Sequence, residues 1–179
     1  MAFELQPHLS DALVTLDPLR PEDFEALYAV ASDPLIWEQH PSRTRYQRDV
    51  FENYFQGALA SGGAFRISET RTGEPMGSSR YYDLDEVKSE VAIGYTFIAR
   101  KFWGGAYNRA LKTLMLDHAF RFVERAIFHV GRDNKRSRAA MEKLGAILVG
   151  EQDIAYYGEK SNPNVVYEIS RAAFRGPAR

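Results

Sequence analysis

The chain has 179 residues, of which 45% are hydrophobic and 26% charged, and its formal net charge is −1. These values are typical of a soluble protein with a single domain, here residues 1–179, and they argue against a globally basic nucleic-acid binder. Cysteine is absent, which excludes disulfides, thiolate nucleophiles and cysteine-ligated zinc. No apolar run reaches the ~18 residues of a membrane span, and no signal-peptide pattern opens the chain. We therefore expect a cytoplasmic protein with neither nucleic acid nor membrane as partner.

The first half of the chain predicts a strand, two helices and then three strands. Ala12–Leu16 has the composition of a strand. Pro21 opens a helix that ends at Asp33-Pro34, since proline suits the first helical position and the residue before a proline leaves the helix. A second helix is predicted at about 45–60, a loop at 83–86, and strands at 64–69, 76–82 and 90–98.

The second half alternates helices and strands. The predicted elements are a helix at 108–123, a strand at 126–130, a helix at 134–144 ended by Gly145, and strands at 147–157 and 165–170. A strand, helix and strand over about 90–130 requires a parallel crossover, so we expect a mixed α/β sheet. We also expect an exposed edge strand near Val165, which would allow pairing in a homodimer.

The segment between the middle strand and the longest helix, residues 100–108, has the features of an anion site. Its two glycines and an alanine at a helix start allow an anion to approach the free backbone N–H groups. Lys101, Arg109 and Lys112 add positive charge nearby. The alternative is a loop that needs glycine for its turn, because the segment has neither a Walker ending nor a GxGxxG pattern.

A second group of cations surrounds the next helix start. Arg132, Lys135, Arg136 and Arg138 flank Asn134, although positive charge at a helix N-terminus is locally unfavourable. Such an exception often marks a site, but these side chains are alternatively solvated surface groups. Two helix starts that follow the strands of one parallel pair can lie side by side and hold one elongated polyanion.

Four segments in order resemble the GNAT superfamily of acyl-CoA N-acyltransferases, and most closely its branch related to the ribosomal-protein alanine acetyltransferases (RimJ/RimL-like). Residues 19–23 with 31–34 match the opening of that branch, and Ile93-Gly94-Tyr95 matches its central strand. Residues 101–106, Lys-Phe-Trp-Gly-Gly-Ala, match the pyrophosphate loop. Asn134-Lys135-Arg136-Ser137 followed by residues 142–146 matches the next helix and its exit.

The resemblance implies a fold and a cosubstrate. The fold is a splayed, mostly antiparallel sheet of about seven strands with helices on both faces. Acetyl-CoA would bind with its pantetheine arm in the gap between strands 90–98 and 126–130, without any metal. The residues implied in binding it are Phe97, Ile98, Lys101, Gly104, Gly105, Ala106, Tyr107, Asn134 and Ser137.

The catalytic residues follow the family pattern only in part. A backbone N–H around Phe97 would stabilise the oxyanion. Many relatives have a tyrosine acid where this chain has Met141, so the candidate acid is Ser137, whose alternative is an ordinary helix serine. Relatives also have a glutamate where this chain has Ala92. Glu90, two residues earlier on the same strand face, is the candidate base, with a solvated carboxylate as its alternative.

The acceptor side is assigned from position in the family. Trp37, His40, Tyr81 and Tyr82 are the candidate substrate-binding residues, although such aromatic side chains are also typical of a core. His129 lies in the strand beside the gap and is a further candidate for the site.

The resulting expectation is an N-acetyltransferase that acts on a primary amine of a small molecule or a protein N-terminus. One alternative is a transferase for another acyl-CoA, such as succinyl-CoA. The other is a non-catalytic acyl-CoA-binding or sensing module, which Ala92 and Met141 favour because neither side chain can exchange a proton.

Overall fold

The computed structural model describes residues 2–174. Its α-helices are α1 (Phe24–Ala31), α2 (Arg48–Ser61), α3 (Tyr107–Ala119) and α4 (Lys135–Leu144). Its strands are β1 (Leu9–Ser10), β2 (Val14–Pro18), β3 (Ala64–Glu69), β4 (Pro75–Asp85), β5 (Glu90–Ile98), β6 (Arg125–Gly131), β7 (Ile147–Ala155) and β8 (Ser161–Ser170).

All these strands form one sheet in the order β1-β2-β3-β4-β5-β6-β8-β7. Among the described residues, β5 and β6 are the only parallel neighbours, as the strand–helix–strand pattern predicted. The mixed, mostly antiparallel sheet is therefore confirmed. It has eight strands rather than about seven, because the two-residue β1 pairs with β2, and so short a strand leaves no periodic pattern in the sequence.

Two apolar clusters pack the helices against the sheet. One contains Leu111 and Met115 of α3 together with Phe128 of β6 and Met141 of α4. The other joins α1 and α2 to the sheet through Leu27, Phe51, Phe55 and Phe97, among others. In each cluster the buried residues of a helix recur three or four positions apart, as Leu111 and Met115 do, and therefore share one face of that helix.

Several boundaries differ from the prediction for local reasons. Pro21–Asp23 form a 3₁₀ turn before α1 rather than its first turn. Residues 83–85, predicted as a loop, extend β4, with Asp83 at a φ of 48° where the pairing register with β5 shifts. The chain leaves α3 at Ala119, four residues before the predicted end, and continues to Val123 in turns.

The predicted edge strand near Val165 was wrong. Val165 lies in β8, which pairs with β6 on one side and with β7 on the other. The edge strand on this side of the sheet is β7, whose Ile147, Leu148 and Val149 are exposed, and the other edge strand is β1.

The sheet opens between β5 and β6. Their pairing is confined to Glu90, Val91 and Ala92 of β5 against residues 125–127. From residue 93 onward, β5 stays with β4 while β6 stays with β8. Tyr95 has a φ of 54°, a left-handed conformation that is strained for a residue other than glycine. This bulge turns β5 away from β6 and leaves a gap flanked by the starts of α3 and α4.

No helix in residues 2–174 is both long enough and apolar enough to cross a membrane.

Candidate active site

The gap forms a cleft of about 530 Å³. Residues 93–98 of β5 form one wall and residues 128–131 of β6 the other, while α3 and α4 contribute the side chains at one opening. The part of β5 along the cleft has no strand partner on its β6 side, so backbone groups there are available to an extended ligand.

The loop before α3 contributes backbone to the cleft. Gly104 and Gly105 are exposed on the cleft wall, and Gly104 has a φ of 71°, which favours glycine. Ala106 precedes the first turn of α3 and makes no side-chain cap, so the first N–H groups of the helix are free for an anion. Tyr107 packs its ring against Phe102, 4.9 Å between centroids, and thus contributes backbone rather than side chain.

Lys101 does not line the cleft. Its ammonium pairs with Glu74, and its side chain borders a shallow surface groove beside the cleft. The sequence match to the first position of the pyrophosphate loop therefore does not bring this charge to the site.

A stacked pair of side chains lies on the cleft wall between the two helix starts. The Arg136 guanidinium lies 3.8 Å from the centre of the Trp103 ring and donates to the Ile36 carbonyl at 3.1 Å. Trp103 in turn donates its indole N–H to the Ile98 carbonyl at 2.8 Å. Arg136, expected from the sequence to face phosphates, is thus held within the protein and fixes α4 against the loop before α3.

Asn134 and Ser137 lie at the start of α4. Asn134 is buried and caps the helix, since its Oδ1 accepts from the Ser137 backbone N–H at 3.1 Å. The Ser137 hydroxyl makes no hydrogen bond within the described residues. Met141, one turn further along the same helix, also lines the cleft.

Lys112 of α3, predicted from the sequence only as positive charge near the anion site, extends into the cleft and is buried there. It is 4% exposed, and its Nζ donates to the Thr96 hydroxyl of β5 at 2.7 Å. Thr96 Oγ1 lies 2.8 Å from Ser79 Oγ of β4. Burial lowers the pKa of Lys112 to about 7. Its position next to Leu111 on the inward face of α3 is the signal that separates it from the exposed Lys101 and Arg109.

Aromatic and histidine side chains line the part of the cleft next to α1 and α2, away from the side where α3 and α4 pack. They are Trp37, His40, Tyr95, Tyr156 and His129. Burial and the nearby Arg45 guanidinium hold the pKa of His40 well below its usual range, so His40 is neutral at pH 7. Burial raises the pKa of Tyr156 to about 12, and its hydroxyl donates to Asn164 Oδ1 at 2.9 Å.

Tyr81 and Tyr82 point to opposite faces of β4, as neighbours in a strand do. Tyr81 is fully buried and donates to the Met115 carbonyl of α3 at 2.6 Å, so it belongs to the core and not to the acceptor side. The Tyr82 hydroxyl lies 2.7 Å from Nδ1 of His129 and reaches the cleft through it. Burial lowers the pKa of His129, which keeps its ring neutral at pH 7.

Glu90 is also outside the cleft. It lies where β5 still pairs with β6, and its carboxylate forms an ion pair with the Arg125 guanidinium at 2.8 Å. A base at this position would be separated from the cleft by the paired part of the two strands. Within residues 2–174, no group of three or more histidine, aspartate or glutamate residues is arranged to hold a metal ion.

This combination of a splayed mixed sheet and a cleft between two helix starts is the architecture that the resemblance to acyl-CoA N-acyltransferases implied. The sequence model of the acetyltransferase (GNAT) domain matches residues 14–147, well over half of the chain. The protein therefore belongs to the GNAT acetyltransferase family. No curated protein matches the sequence.

Solved structures agree with this fold. A GCN5-related N-acetyltransferase from Brucella melitensis superposes with a TM-score of 0.81 at 16% identity, over 94% of this chain and 80% of that one. A GNAT-family acetyltransferase from Bacillus anthracis gives 0.73 at 16% identity, over 92% and 98%. RimJ of Mycobacterium smegmatis, in complex with CoA-disulfide, gives 0.70 at 19% identity, over 92% and 85%. At these identities the likeness concerns the fold alone.

Proposed function

We propose that the protein transfers an acetyl group from acetyl-CoA to a primary amine, by direct attack of the amine on the thioester. The observation that carries the proposal is the cleft between β5 and β6. It runs from two helix starts on one side to an aromatic pocket on the other, so a thioester and an amine can meet inside it from opposite openings.

Acetyl-CoA, the cosubstrate, would bind at the opening beside the starts of α3 and α4. The unpaired edge of β5 includes Phe97 and Ile98 and offers backbone hydrogen bonds to the amides of a pantetheine arm. The arm would then pair with β5 as an added strand does. The N–H groups of residues 104–107 suit a pyrophosphate. The Nδ2 of Asn134 has no hydrogen-bond partner among residues 2–174 and could donate to pantetheine, while its Oδ1 caps α4. RimJ of M. smegmatis, which shares this fold, was solved in complex with CoA-disulfide, which supports a coenzyme A thioester as cosubstrate; the RimJ/RimL-like branch rests on the sequence resemblance.

The reaction needs stabilised negative charge at two atoms. A backbone N–H of β5 around Phe97 would donate to the oxyanion of the tetrahedral intermediate. The free hydroxyl of Ser137 would donate a hydrogen bond to the departing sulfur, since Met141 has no proton to give.

The acceptor amine would enter between Trp37, His40 and Tyr156. The described residues on the cleft wall include no carboxylate, so an ammonium bound there would lack a negative partner and the uncharged form of the amine is favoured. The neutral His129 ring, paired with Tyr82, lies on the cleft wall and can exchange a proton with the amine, whereas Glu90, the base predicted from the sequence, is not on that wall. Both a peptide N-terminus and a small amine match this description.

The experiment is release of coenzyme A from acetyl-CoA in the presence of a panel of amines: short peptides, amino acids, aminoglycosides and aliphatic amines. We expect amine-dependent release above the rate of hydrolysis without amine. Succinyl-CoA in a parallel series tests the acyl preference. A non-catalytic sensing module, which Ala92 and Met141 favour, would bind acetyl-CoA without turnover on any amine.

A further inference from the structure

Lys112 is a buried cation in the cleft without a negatively charged partner. Its Nζ has one hydrogen bond, to Thr96, and no carboxylate within residues 2–174 forms an ion pair with it. An ammonium has three protons to donate, and a buried charge is costly unless it is paired. Nζ lies 5.9 Å from the centre of the Phe128 ring, and therefore between the two strands that separate at the cleft.

The surroundings of Lys112 contain no group that would hold its proton firmly. The other charged or titratable side chains on the cleft wall come from α3, α4, β5, β6 and the segments before α2 and after β7. They are Arg109, Arg136, Lys143, Tyr95, His129, His40 and Tyr156. None is a carboxylate, and burial alone lowers the pKa of Lys112 to about 7. An amine in this state gains and loses a proton readily at neutral pH.

The proposed reaction requires a proton source that the residues named so far do not supply. Breaking the carbon–sulfur bond releases a thiolate, whose conjugate thiol has a pKa of about 8.5. A serine hydroxyl is a weaker acid than a thiol, so Ser137 donates a hydrogen bond to the sulfur but does not deliver its proton. Met141 has none to deliver.

We propose that Lys112 is the acid that protonates the leaving coenzyme A thiolate in the cleft; this assignment rests on the proposed function. The acceptor nitrogen attacks the carbonyl carbon, and the C–S bond breaks as the carbonyl re-forms. The sulfur takes a proton from the Lys112 ammonium, while the attacking nitrogen loses one to the neutral His129 ring, which passes it to solvent. Lys112 regains its proton from solvent, so one proton leaves nitrogen and one reaches sulfur in each turnover.

The test uses free coenzyme A, because it needs no acceptor amine. The complex with coenzyme A is titrated from pH 6 to 9.5 and thiolate absorbance is followed near 235 nm, with the acetyl-CoA complex subtracted because it has no free thiol. A cation beside the sulfur favours the thiolate. Because Lys112 and the thiol titrate as a coupled pair, we expect the bound thiol to begin ionising at lower pH than free coenzyme A, whose thiol has a pKa of about 8.5, with more thiolate absorbance between pH 6.5 and 7.5. In Lys112→Met and Lys112→Gln, the bound-thiol pKa should return to 8.5 or above.

Lys143→Met is the matched control, because Lys143 is an exposed cation at the rim of the same cleft. It should weaken coenzyme A binding without changing the bound-thiol pKa. If the bound-thiol pKa is the same in wild type and in Lys112→Met, the role of Lys112 is overturned and the proposed function is not. The same conclusion follows if Lys143→Met changes the bound-thiol pKa as much as Lys112→Met does. A calorimetric titration without any coenzyme A binding would overturn the proposed function, so the two failures are distinguishable.

Discussion

Ser137 and Met141 stand one turn apart on α4 and both face the cleft, but only one of them has a proton to donate. Ser137 is also the residue whose backbone N–H is held by Asn134 Oδ1, which fixes where its hydroxyl can reach. The local cap therefore places the one free hydroxyl of this helix turn beside the proposed position of the sulfur.

The first prediction concerns this hydroxyl. Ser137→Ala should lower kcat for acetyl transfer by about 10- to 100-fold, as loss of one hydrogen bond to a charged atom does. The dissociation constant for acetyl-CoA should change less than threefold, because the helix cap comes from Asn134 and survives the substitution. Steady-state kinetics and calorimetry on the same preparation check both values, and an unchanged kcat would remove Ser137 from the mechanism.

Lys112 gives a second prediction, on stability. In the folded chain Lys112 loses its proton near pH 7, whereas the unfolded chain keeps it up to about 10.5. Between these values the unfolded state binds more protons, so the free energy of unfolding rises with pH. In urea titrations at pH 6.5 and pH 9, the stability of wild type relative to Lys112→Met should increase with pH. An equal difference at the two pH values would contradict the lowered pKa of Lys112.

At the residue scale, the sequence predicted a residue's structural role where its residue type strongly prefers one local conformation. The glycine pair at 104–105 and the helix start at Asn134 were predicted because turns and helix starts have strong residue preferences, whereas the capping role of Asn134 came from the structure. The faces of Tyr81 and Tyr82 were not resolved, since strand parity depends on register and β4 contains a shift. The pairing of Lys112 with Thr96 depends on how α3 is rotated over β5, which no local pattern gives.

Among the structural elements, the bulge in β5 and the loop before α3 together form the cosubstrate opening. Tyr54 of α2 donates its hydroxyl to the Tyr95 carbonyl at 2.6 Å and so holds the strained residue from the other side of the sheet. The bulge ends the pairing with β6 and leaves free the strand edge that the loop at 104–107 adjoins. The predicted order of these elements was correct, whereas this strained residue has no signature in the sequence.

Gly105 provides a matched pair of variants at this scale. A Cβ added to Gly105 would meet only the Tyr107 ring, at 3.9 Å, so Gly105→Ala should fold and bind acetyl-CoA with little loss. Gly105→Glu should fold equally well but abolish binding, because its carboxylate would repel the pyrophosphate from the N–H groups of the helix start. Calorimetry on the two variants checks this, and retained affinity in Gly105→Glu would show that the phosphates bind elsewhere.

For the whole molecule, one buried ion pair joins two segments distant in sequence around the acceptor opening. Arg45, between α1 and α2, is 1% exposed and donates to Glu159 of the β7–β8 loop at 2.8 Å. The Ser42 hydroxyl also donates to Glu159, and the Arg45 guanidinium lies 5.0 to 5.6 Å from the ring centres of Trp37, Tyr54 and Tyr156. The aromatic pocket therefore exists only in the assembled fold.

Glu159→Ala should lower the free energy of unfolding by about 3 kcal/mol, because it leaves a buried guanidinium without a negative partner. The double variant Arg45→Met/Glu159→Ala should recover most of that loss, since the unpaired charge is gone. Urea unfolding of the four proteins in this cycle gives the coupling. Additive losses in the double variant would mean that the two side chains act independently.

The central claim is that the cleft between β5 and β6 binds acetyl-CoA, and calorimetric titration of the purified protein with acetyl-CoA tests it most directly. Desulfo-CoA and ATP serve as controls for the thioester and for the nucleotide end. We predict one binding site per chain, binding of desulfo-CoA as well, and much weaker binding of ATP, which has no pantetheine arm. A folded protein that gives no heat with acetyl-CoA, or that binds ATP as tightly, would contradict the claim.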